Sequence, residues 1–298
     1  IPGSVITIGT NAFSYTRKLS SITLPDSVGT LGSSLFSWSG IENVTLPSSI
    51  TSIPFAMFDG CANLQNIVIP NSVKTISDYA FQDSGITSIT IPNNVTTIGD
   101  CAFKGCANLK TFKGKYASNN GRNLTKEGVL IAYADGSGDE YTIPSDITSI
   151  GEYAFYWCAN LKRVVVPGNV KTIGRAAFAN CENLTKVTIS NGVTTIGASA
   201  FTYSANIKRI ALPQSVTIID NGALHSCDSL KEIYCMATTP PKVGEPNNLL
   251  FPSWGTKVIY VPTQSVSIYK STDKWSIYSD IIKGYDFTDF EEPEDIEV

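Results

Sequence analysis

The chain has 298 residues, of which 42% are hydrophobic and 16% are charged, and its formal net charge is −4. This composition is typical of a chain that buries a large core, and the excess of acid argues against nucleic acid as a partner. No apolar run reaches the ~18 residues of a membrane-spanning helix, so we expect no such segment. The sequence opens without methionine, inside a structural unit, so we expect it to be a trimmed fragment. The lack of a signal peptide then carries no information on location.

Proline recurs along the chain at a nearly fixed interval. Steps of 22 or 23 residues separate Pro2, Pro25, Pro47, Pro70 and Pro92. The series resumes with Pro144, Pro167 and Pro213, and Ser190 takes the place of proline once. A fixed period of this length is the signature of a leucine-rich-repeat solenoid.

Each repeat divides into a strand and a return segment. In 161–167 the pattern Leu-x-x-Val-x-Val-Pro alternates apolar and polar residues, which predicts a short strand with one buried face. Proline ends the strand because it has no N–H for a ladder bond. The following Val-x-x-Ile-x-x-x-Ala-Phe segment returns the chain on the opposite side. We therefore expect a solenoid of β/α repeats, with one parallel sheet on its concave face and strands ~4.8 Å apart.

Two further positions of the repeat are nearly constant. One carries a ring in eight repeats, and Leu224 replaces it in the last: Phe13, Phe36, Phe58, Phe81, Phe103, Phe155, Phe178 and Phe201. Three residues later stand small polar residues: Cys61, Cys106, Cys158, Cys181 and Cys227, with Thr16, Ser39, Ser84 and Ser204 elsewhere. Because serine and threonine substitute for cysteine, we expect buried thiols that bond turn backbone, with a Cys158–Cys181 disulfide as the alternative. A column does not present four converging ligands, so we expect no metal site.

The repeat is interrupted at 113–141. Pro92 and Pro144 lie 52 residues apart, which is two repeats plus about seven residues. Gly128–Tyr133 and Glu140–Ile143 have strand patterns, and they flank a turn-rich segment at 135–139. We predict a β-hairpin island there, either a tolerated insertion or a binding loop.

These residues carry a family resemblance. The unit Val-x-x-Ile-Gly-x-x-Ala-Phe-x-x-Cys-x-Asn-Leu-x-x-Val-x-Ile-Pro, seen in 95–112 and 170–187, resembles the BspA-type leucine-rich repeats of bacterial cell-surface proteins. The C-terminal stretch, with Ala-Thr-Thr-Pro-Pro at 237–241, Ile-Tyr-Val-Pro at 259–262, Tyr269 and Trp275, is similar to the capping segment of such proteins from Bacteroides-like bacteria.

The resemblance implies a domain layout and a location. Repeats would cover 1–238 with the island at 113–141, a cap would cover 239–285, and 286–298 would form an acidic tail. It also implies secretion or anchoring at the outer membrane as a lipoprotein, with a role in adhesion or binding. It supplies no catalytic residues and no cofactor. The single histidine, His225, and the absence of nucleophile, phosphate-loop and metalloprotease motifs likewise predict a protein that is not an enzyme.

Two sets of side chains are candidates for binding a ligand. Outward strand positions carry Arg163, Lys186 and Arg209 in successive repeats, followed by Glu232 and Tyr234. This basic stripe is either a binding surface for an acidic partner or a solvated face. The position two residues after the phenylalanine carries Tyr15, Trp38, Trp157 and Tyr203. Trp38 and Trp157 would bind a glycan if exposed, and the alternative is packing against neighbouring turns.

The sequence thus predicts a monomeric, non-enzymatic recognition scaffold at the cell surface that binds an extracellular protein. A carbohydrate-binding module and an architectural spacer without a ligand are the two alternatives.

Overall fold

The computed structural model describes residues 1–244 and 258–291. Residues 245–257 of the expected cap and 292–298 of the expected acidic tail lie outside the described residues. The chain forms two compact units, the first comprising 1–139 with 151–160, and the second comprising 140–150 with 161–298. None of the helices found in the described ranges has the length and apolar character that crossing a membrane requires.

The first unit is a parallel β-solenoid with two kinds of strand. Strands that precede the repeat proline or its equivalent are β2 (Ser21–Thr23), β4 (Asn43–Thr45), β7 (Ser88–Ile91) and β9 (Thr111–Gly114). Two-residue strands on the return segment are β1 (Thr7–Ile8), β3 (Thr30–Leu31), β5 (Ser52–Ile53), β6 (Thr75–Ile76) and β8 (Thr97–Ile98). Strands of the same kind pair in parallel: β2 with β4, β7 with β9, β5 with β6, and β6 with β8. An antiparallel hairpin of β10 (Asn123–Lys126) and β11 (Val129–Tyr133) completes this unit.

The second unit repeats the same arrangement. Its longer strands are β12 (Glu140–Thr142), β14 (Arg163–Val166), β16 (Lys186–Ile189), β18 (Arg209–Leu212), β20 (Glu232–Cys235), β22 (Val258–Pro262) and β23 (Ile282–Tyr285). Its two-residue strands are β13 (Ser149–Ile150), β15 (Thr172–Ile173), β17 (Thr195–Ile196), β19 (Ile218–Ile219) and β21 (Lys242–Val243). The helix α1 (Val266–Ser271) lies between β22 and β23, flanked by 3-10 turns at Thr263–Ser265 and Ser276–Tyr278.

The solenoid class is confirmed, but the return segment differs from the expected helical one. Within the described residues the return segments contain turns and a second parallel ladder, and α1 lies outside the repeats. A helix needs consecutive residues with negative φ, and each corner instead has two left-handed residues. They stand two before and two after the phenylalanine, as with Ser34 and Trp38 (φ 52° and 58°) around Phe36. This conformation turns the chain sharply, so one repeat closes in 22 or 23 residues.

The phenylalanines form a stacked column in each unit. Ring centroids of Phe36 and Phe58 are 5.6 Å apart, and those of Phe178 and Phe201 are 5.3 Å apart, with the rings nearly parallel. These four side chains are fully buried. Each ring therefore covers the face that its neighbour exposes, which makes the stability of one turn depend on the next.

The cysteine column does what the sequence predicts. The Sγ atoms of Cys61, Cys106 and Cys227 donate to the backbone carbonyls of Phe36, Phe81 and Phe201 at 3.0–3.1 Å. Ser204 occupies the same position, and its Oγ donates to the carbonyl of Phe178 at 2.7 Å. All seven cysteines are buried and none is joined in a disulfide, so the alternative of a Cys158–Cys181 disulfide is not realised.

The island contains a hairpin, but its strands are not the two that we expected. β11 pairs with β10 rather than with Glu140–Ile143, and the two-residue turn is Glu127-Gly128, both at positive φ as the twist of a tight hairpin requires. β12 instead pairs in parallel with β14 as a regular repeat strand. The Asp-Gly-Ser segment forms a 3-10 turn, closed by the N–H of Ser137 donating to the carbonyl of Ala134 at 3.0 Å, and the Asp135 carboxylate accepts the backbone N–H of Asn160.

The expected capping residues anchor the segment that follows the last repeat. Trp275 and Tyr269 are fully buried and contact each other edge to face. The Nε1 of Trp275 donates to the carbonyl of Pro241 at 2.9 Å, and the hydroxyl of Tyr269 donates to that of Ala237 at 2.8 Å. These two bonds hold the Ala-Thr-Thr-Pro-Pro segment against α1. The extent of a cap at 239–285 and of a tail at 286–298 stays a prediction.

The thiol column predicts a specific loss of stability at alkaline pH. Burial raises the pKa of Cys61, Cys106 and Cys227 to about 12 from an ordinary 9.0. The folded chain then holds protons that the unfolded chain releases, so the free energy of unfolding falls as pH rises above about 9. Urea unfolding under reducing conditions at pH 7.5 and 10 should show this fall.

The matched variant is Cys106→Ser, which keeps a donor to the carbonyl of Phe81. With rising pH, its free energy of unfolding should fall less steeply than that of wild type. The two slopes should differ by at most about 1.4 kcal/mol per pH unit, which is the effect of one thiol. Equal slopes in the two proteins would show that the thiol does not contribute.

Candidate functional site

A column of charged side chains runs along the outward face of the longer strands in the second unit. Outward and buried residues alternate because the strand period is two, so Arg163 and Lys186 point away from the core while Val164 and Val187 point into it. The register places Glu140 beside Arg163, and Arg163 beside Lys186. One repeat beyond Lys186, Arg209 lies beside Glu232. We call these five residues the charged column.

The charged column is mixed in sign, where the sequence predicted a basic stripe. Arg163 forms an ion pair with Glu140, and the Nε of Arg209 lies 3.4 Å from the Oε2 of Glu232. Three cations and two anions leave one net positive charge. Sequence reasoning missed Glu140 because its strand had been assigned to the island. The strand–proline pattern at 140–144 was the signal that could have identified it.

Lys186 is the central residue of the charged column. In the parts of the chain that the structure describes, its ammonium forms no ion pair, whereas the arginines of both neighbouring repeats have a carboxylate partner. The side chain is half-buried. A carboxylate on a partner could therefore bind Lys186 without first displacing an internal acid.

A second outward column runs beside the charged column and ends in two tyrosines. It contains Val165, Thr188, Ala211, Tyr234 and Tyr260, one from each successive longer strand. Tyr234 stacks on Tyr260 with ring centroids 5.0 Å apart, and Phe290 lies 5.0 Å away on another side. Tyr234 is consequently buried, contrary to its prediction as an open outward residue.

Tyr234 is also tied to the charged column. Its hydroxyl donates to the Oε2 of Glu232 at 3.0 Å. Burial, and then the hydrogen bond and charge of Glu232, raise the pKa of Tyr234. Arg209, Glu232 and Tyr234 therefore form one connected polar group, bordered by the rings of Tyr260, Tyr285 and Phe290.

The corresponding face of the first unit has almost no charge before β9. Ser21, Thr23, Asn43 and Thr45 are exposed, and Val68 is 83% exposed. Single apolar residues on such a surface are common and need no partner. This face offers no cluster of aromatic or charged anchors comparable to that of the second unit.

The aromatic residues at the corners are more exposed than the packing interpretation predicted. Trp38 and Trp157 are 47% and 40% exposed, and Tyr15 and Tyr203 are also exposed. The two tryptophan rings each still contact a neighbouring corner on one side. A Cβ at Gly60 would lie 2.5 Å from the Trp38 ring, so that ring covers the glycine, and the ammonium of Lys104 lies 4.7 Å from the centroid of Trp157. The corner tryptophans therefore present their other faces to solvent.

Groups suited to catalysis do not converge in the described residues. No set of three His, Cys, Asp or Glu side chains there is placed to hold a metal ion. The cysteines are buried, and burial raises the pKa of Cys61, Cys106 and Cys227 to about 12, which leaves these three protonated and poorly nucleophilic at neutral pH. The Nδ1 of His225 contacts the Oγ of Ser226 at 2.8 Å, while Cys227 bonds backbone instead.

Solved structures with a similar fold come from several bacteria. A leucine rich cell surface protein from Faecalibacterium prausnitzii is 28% identical with a TM-score of 0.63, over 80% of this chain and 73% of that chain. A leucine-rich repeat protein from Eubacterium ventriosum is 19% identical with a TM-score of 0.60, over 84% and 83%. The pneumococcal vaccine antigen PcpA is 18% identical with a TM-score of 0.54, over 93% and 69%. The last two likenesses concern the fold alone.

The sequence comparisons agree with the repeat pattern. No curated protein matches the chain significantly. The profile described as "BspA type Leucine rich repeat region" matches six copies, in residues 1–110 and 132–242. These ranges cover most of the chain and omit only the first part of the island and the C-terminal segment. The chain therefore belongs to the family of proteins with BspA-type leucine-rich repeats.

Proposed function

We propose that this protein is a non-enzymatic recognition scaffold at the cell surface and that it binds an extracellular protein through the second unit. The observation that carries the proposal is the charged column lying beside Val165 and Thr188, which are partly exposed, whereas Ala211 and Tyr234 of the second column are buried. Rows of charge fix the register of a partner, and the partly exposed side chains beside them supply area that excludes water. The family supports a role in recognition, and the similar protein from Faecalibacterium prausnitzii is a cell surface protein. Attachment as a lipoprotein is part of the same proposal.

The two parts of the face contribute differently to binding. Arg163 and Glu140 are exposed and already paired with each other. Rearranging this pair to contact a partner changes the free energy of binding little, and the pair mainly affects the association rate. Lys186 gains a new partner, and Arg209 is already oriented by Glu232. The partner is therefore expected to place an acidic side chain against Lys186 and an apolar group against the partly exposed Val165.

The test of this function is a charge reversal at the central residue. Lys186→Glu should weaken binding at least tenfold to any protein captured from an array of purified extracellular-matrix proteins, because it replaces an attraction by a repulsion. Raising the salt concentration should weaken wild-type binding and leave that of the variant nearly unchanged. Surface plasmon resonance on the captured protein gives both quantities.

Arg175→Glu is the matched control, since it makes the same charge change on an exposed residue just after the two-residue strand β15. It should retain wild-type affinity. Equal weakening by both variants would show that the loss of affinity comes from net charge alone. That result would contradict binding at the charged column. If no protein on the array binds, the architectural spacer becomes the better description.

The two arginines of the column should differ in their contribution to stability. The Arg163 side chain is 55% exposed, so Arg163→Glu should change the free energy of unfolding by no more than about 1 kcal/mol. The Arg209 side chain is only 23% exposed, and Arg209→Glu would place a second carboxylate against Glu232. We expect a loss of about 2–3 kcal/mol, measured by urea unfolding. Equal losses would show that the burial of Arg209 has no energetic consequence.

A second candidate function is glycan binding at the corners of the first unit. It is supported by the exposure of Trp38 and Trp157, whose open faces could stack on sugar rings. Trp38→Ala should then weaken binding to arrayed polysaccharides severalfold with little dependence on salt. Tyr203→Ala, an exposed corner aromatic of the second unit, is the control. Polysaccharide binding that is unaffected by Trp38→Ala would remove Trp38 from the site.

A further inference from the structure

The interruption of the repeat leaves a cavity inside the first unit. Between Phe103 and Phe155 the sequence contains no Ala-Phe pair, so one corner of the solenoid is missing. The ring of Phe103 stacks on Phe81 and contacts Phe112 edge to face, and that of Phe155 packs on Tyr133 at 4.9 Å. A space of 260 Å³ remains between the corner at 98–105 and the corner at 151–158, with β11 beside it. We call it the corner cavity.

The corner cavity is lined by apolar side chains together with polar ones, among them the buried Asp135. Ala102, Phe103, Ile131 and Ala154 contribute apolar surface. The charged lining residues Asp100, Lys104 and Glu152 are partly or largely exposed to solvent. Tyr153 and Tyr156 are half-buried and contact each other edge to face, with centroids 5.6 Å apart. The cavity therefore offers flat apolar surface together with both donors and acceptors.

These polar groups are not used within the protein. In residues 1–244 and 258–291, the hydroxyls of Tyr153 and Tyr156 and the carboxylate of Glu152 make no hydrogen bond. The ammonium of Lys104 forms no ion pair in the same ranges and lies over the rings of Tyr156 and Trp157, at 5.0 and 4.7 Å. Such an ammonium is held in place while its three N–H donors remain available.

We propose that the corner cavity binds a single pyranose ring at the end of a neutral glycan. A pyranose has an apolar face that fits against aromatic and aliphatic surface, and a rim of hydroxyls that needs both donors and acceptors. The volume is below the usual range for drug-sized ligands, which suits one ring rather than an extended chain. The inference deepens the glycan-binding candidate, and it is independent of the proposed protein-binding face.

The charge of the lining decides between sugar classes. Asp100, Asp135 and Glu152 line the cavity together with one cation, Lys104. This excess of carboxylate disfavours an acidic sugar. An aromatic side chain of a peptide would fit the interior by volume. It would, however, leave the tyrosine hydroxyls and Lys104 without partners, at a cost in desolvation.

The test uses methyl β-D-glucopyranoside, methyl β-D-galactopyranoside and methyl α-D-mannopyranoside as probes, with saturation-transfer NMR and calorimetry on the whole chain. Ile131→Trp fills the cavity, and Ile6→Trp places the same residue at a position that is 70% exposed. Tyr156→Phe removes one hydroxyl and keeps the ring. Circular dichroism and urea unfolding establish that each variant is folded.

We expect at least one neutral pyranoside to bind wild type and Ile6→Trp with dissociation constants within twofold of each other, in the millimolar range of about 1–10 mM. Ile131→Trp should weaken binding at least tenfold and Tyr156→Phe about fivefold. The proposal is overturned if none of the three probes binds, or if binding persists in folded Ile131→Trp. N-acetylphenylalaninamide and methyl glucuronide are measured as comparison ligands, and binding of either of them without binding of a neutral pyranoside also overturns the proposal.

Trp38→Ala separates this inference from the broader glycan candidate. Pyranoside binding that survives Trp38→Ala but not Ile131→Trp places the sugar in the corner cavity. Binding lost in Trp38→Ala and kept in Ile131→Trp would overturn the inference while supporting stacking on the exposed ring.

Discussion

The structure depends on backbone hydrogen bonds that join each corner to the same corner of the next turn. The N–H of Phe36 donates to the carbonyl of Met57, and the N–H of Phe58 donates to that of Ala80. In the second unit, the N–H of Phe178 donates to the carbonyl of Ala200. These bonds hold residues such as Trp38 and Tyr203 at positive φ, which an isolated aromatic residue rarely adopts. The backbone strain at these residues persists because a corner that relaxed to negative φ would leave buried N–H groups without hydrogen-bond acceptors.

The same bonds fix which side chains become neighbours. Because register is constant from turn to turn, a residue type repeated at one position of the sequence becomes a physical column. The phenylalanine column provides the core, and the cysteine and serine column satisfies carbonyls inside it. On the surface, the rule brings Glu140, Arg163 and Lys186 side by side although 23 residues separate each from the next. Recognition can therefore be assembled by single substitutions at one repeat position, without any change in the fold.

Periodicity explains how much the sequence could predict. It identified the repeat, the family, the buried strand positions and the hydrogen-bonding role of the cysteines, because each is a local pattern repeated many times. Periodicity did not predict the second parallel ladder, which the two-residue strands form. Those strands show no pattern beyond the Val-x-x-Ile spacing, and that spacing predicts a return segment rather than a strand. The partner of β11 and the ion pair of Arg163 depend on how one irregular segment rejoins the solenoid, and a single occurrence supplies no period. The burial of Tyr234 depends on Phe290, from a part of the chain with no repeat.

Irregularity is also where this fold can acquire a site of its own. In a perfect solenoid every corner ring is covered by an identical ring, so the interior leaves no space for a ligand. Removing one corner uncovers the lining of its neighbours, and the hairpin of β10 and β11 fills that space only in part. The side chains that border the gap then do not have to stack on an identical side chain of the next turn. In this chain they include tyrosines and a lysine rather than alanine and serine. An interrupted repeat thus turns a position that elsewhere serves only packing into one whose side chains can bind a ligand.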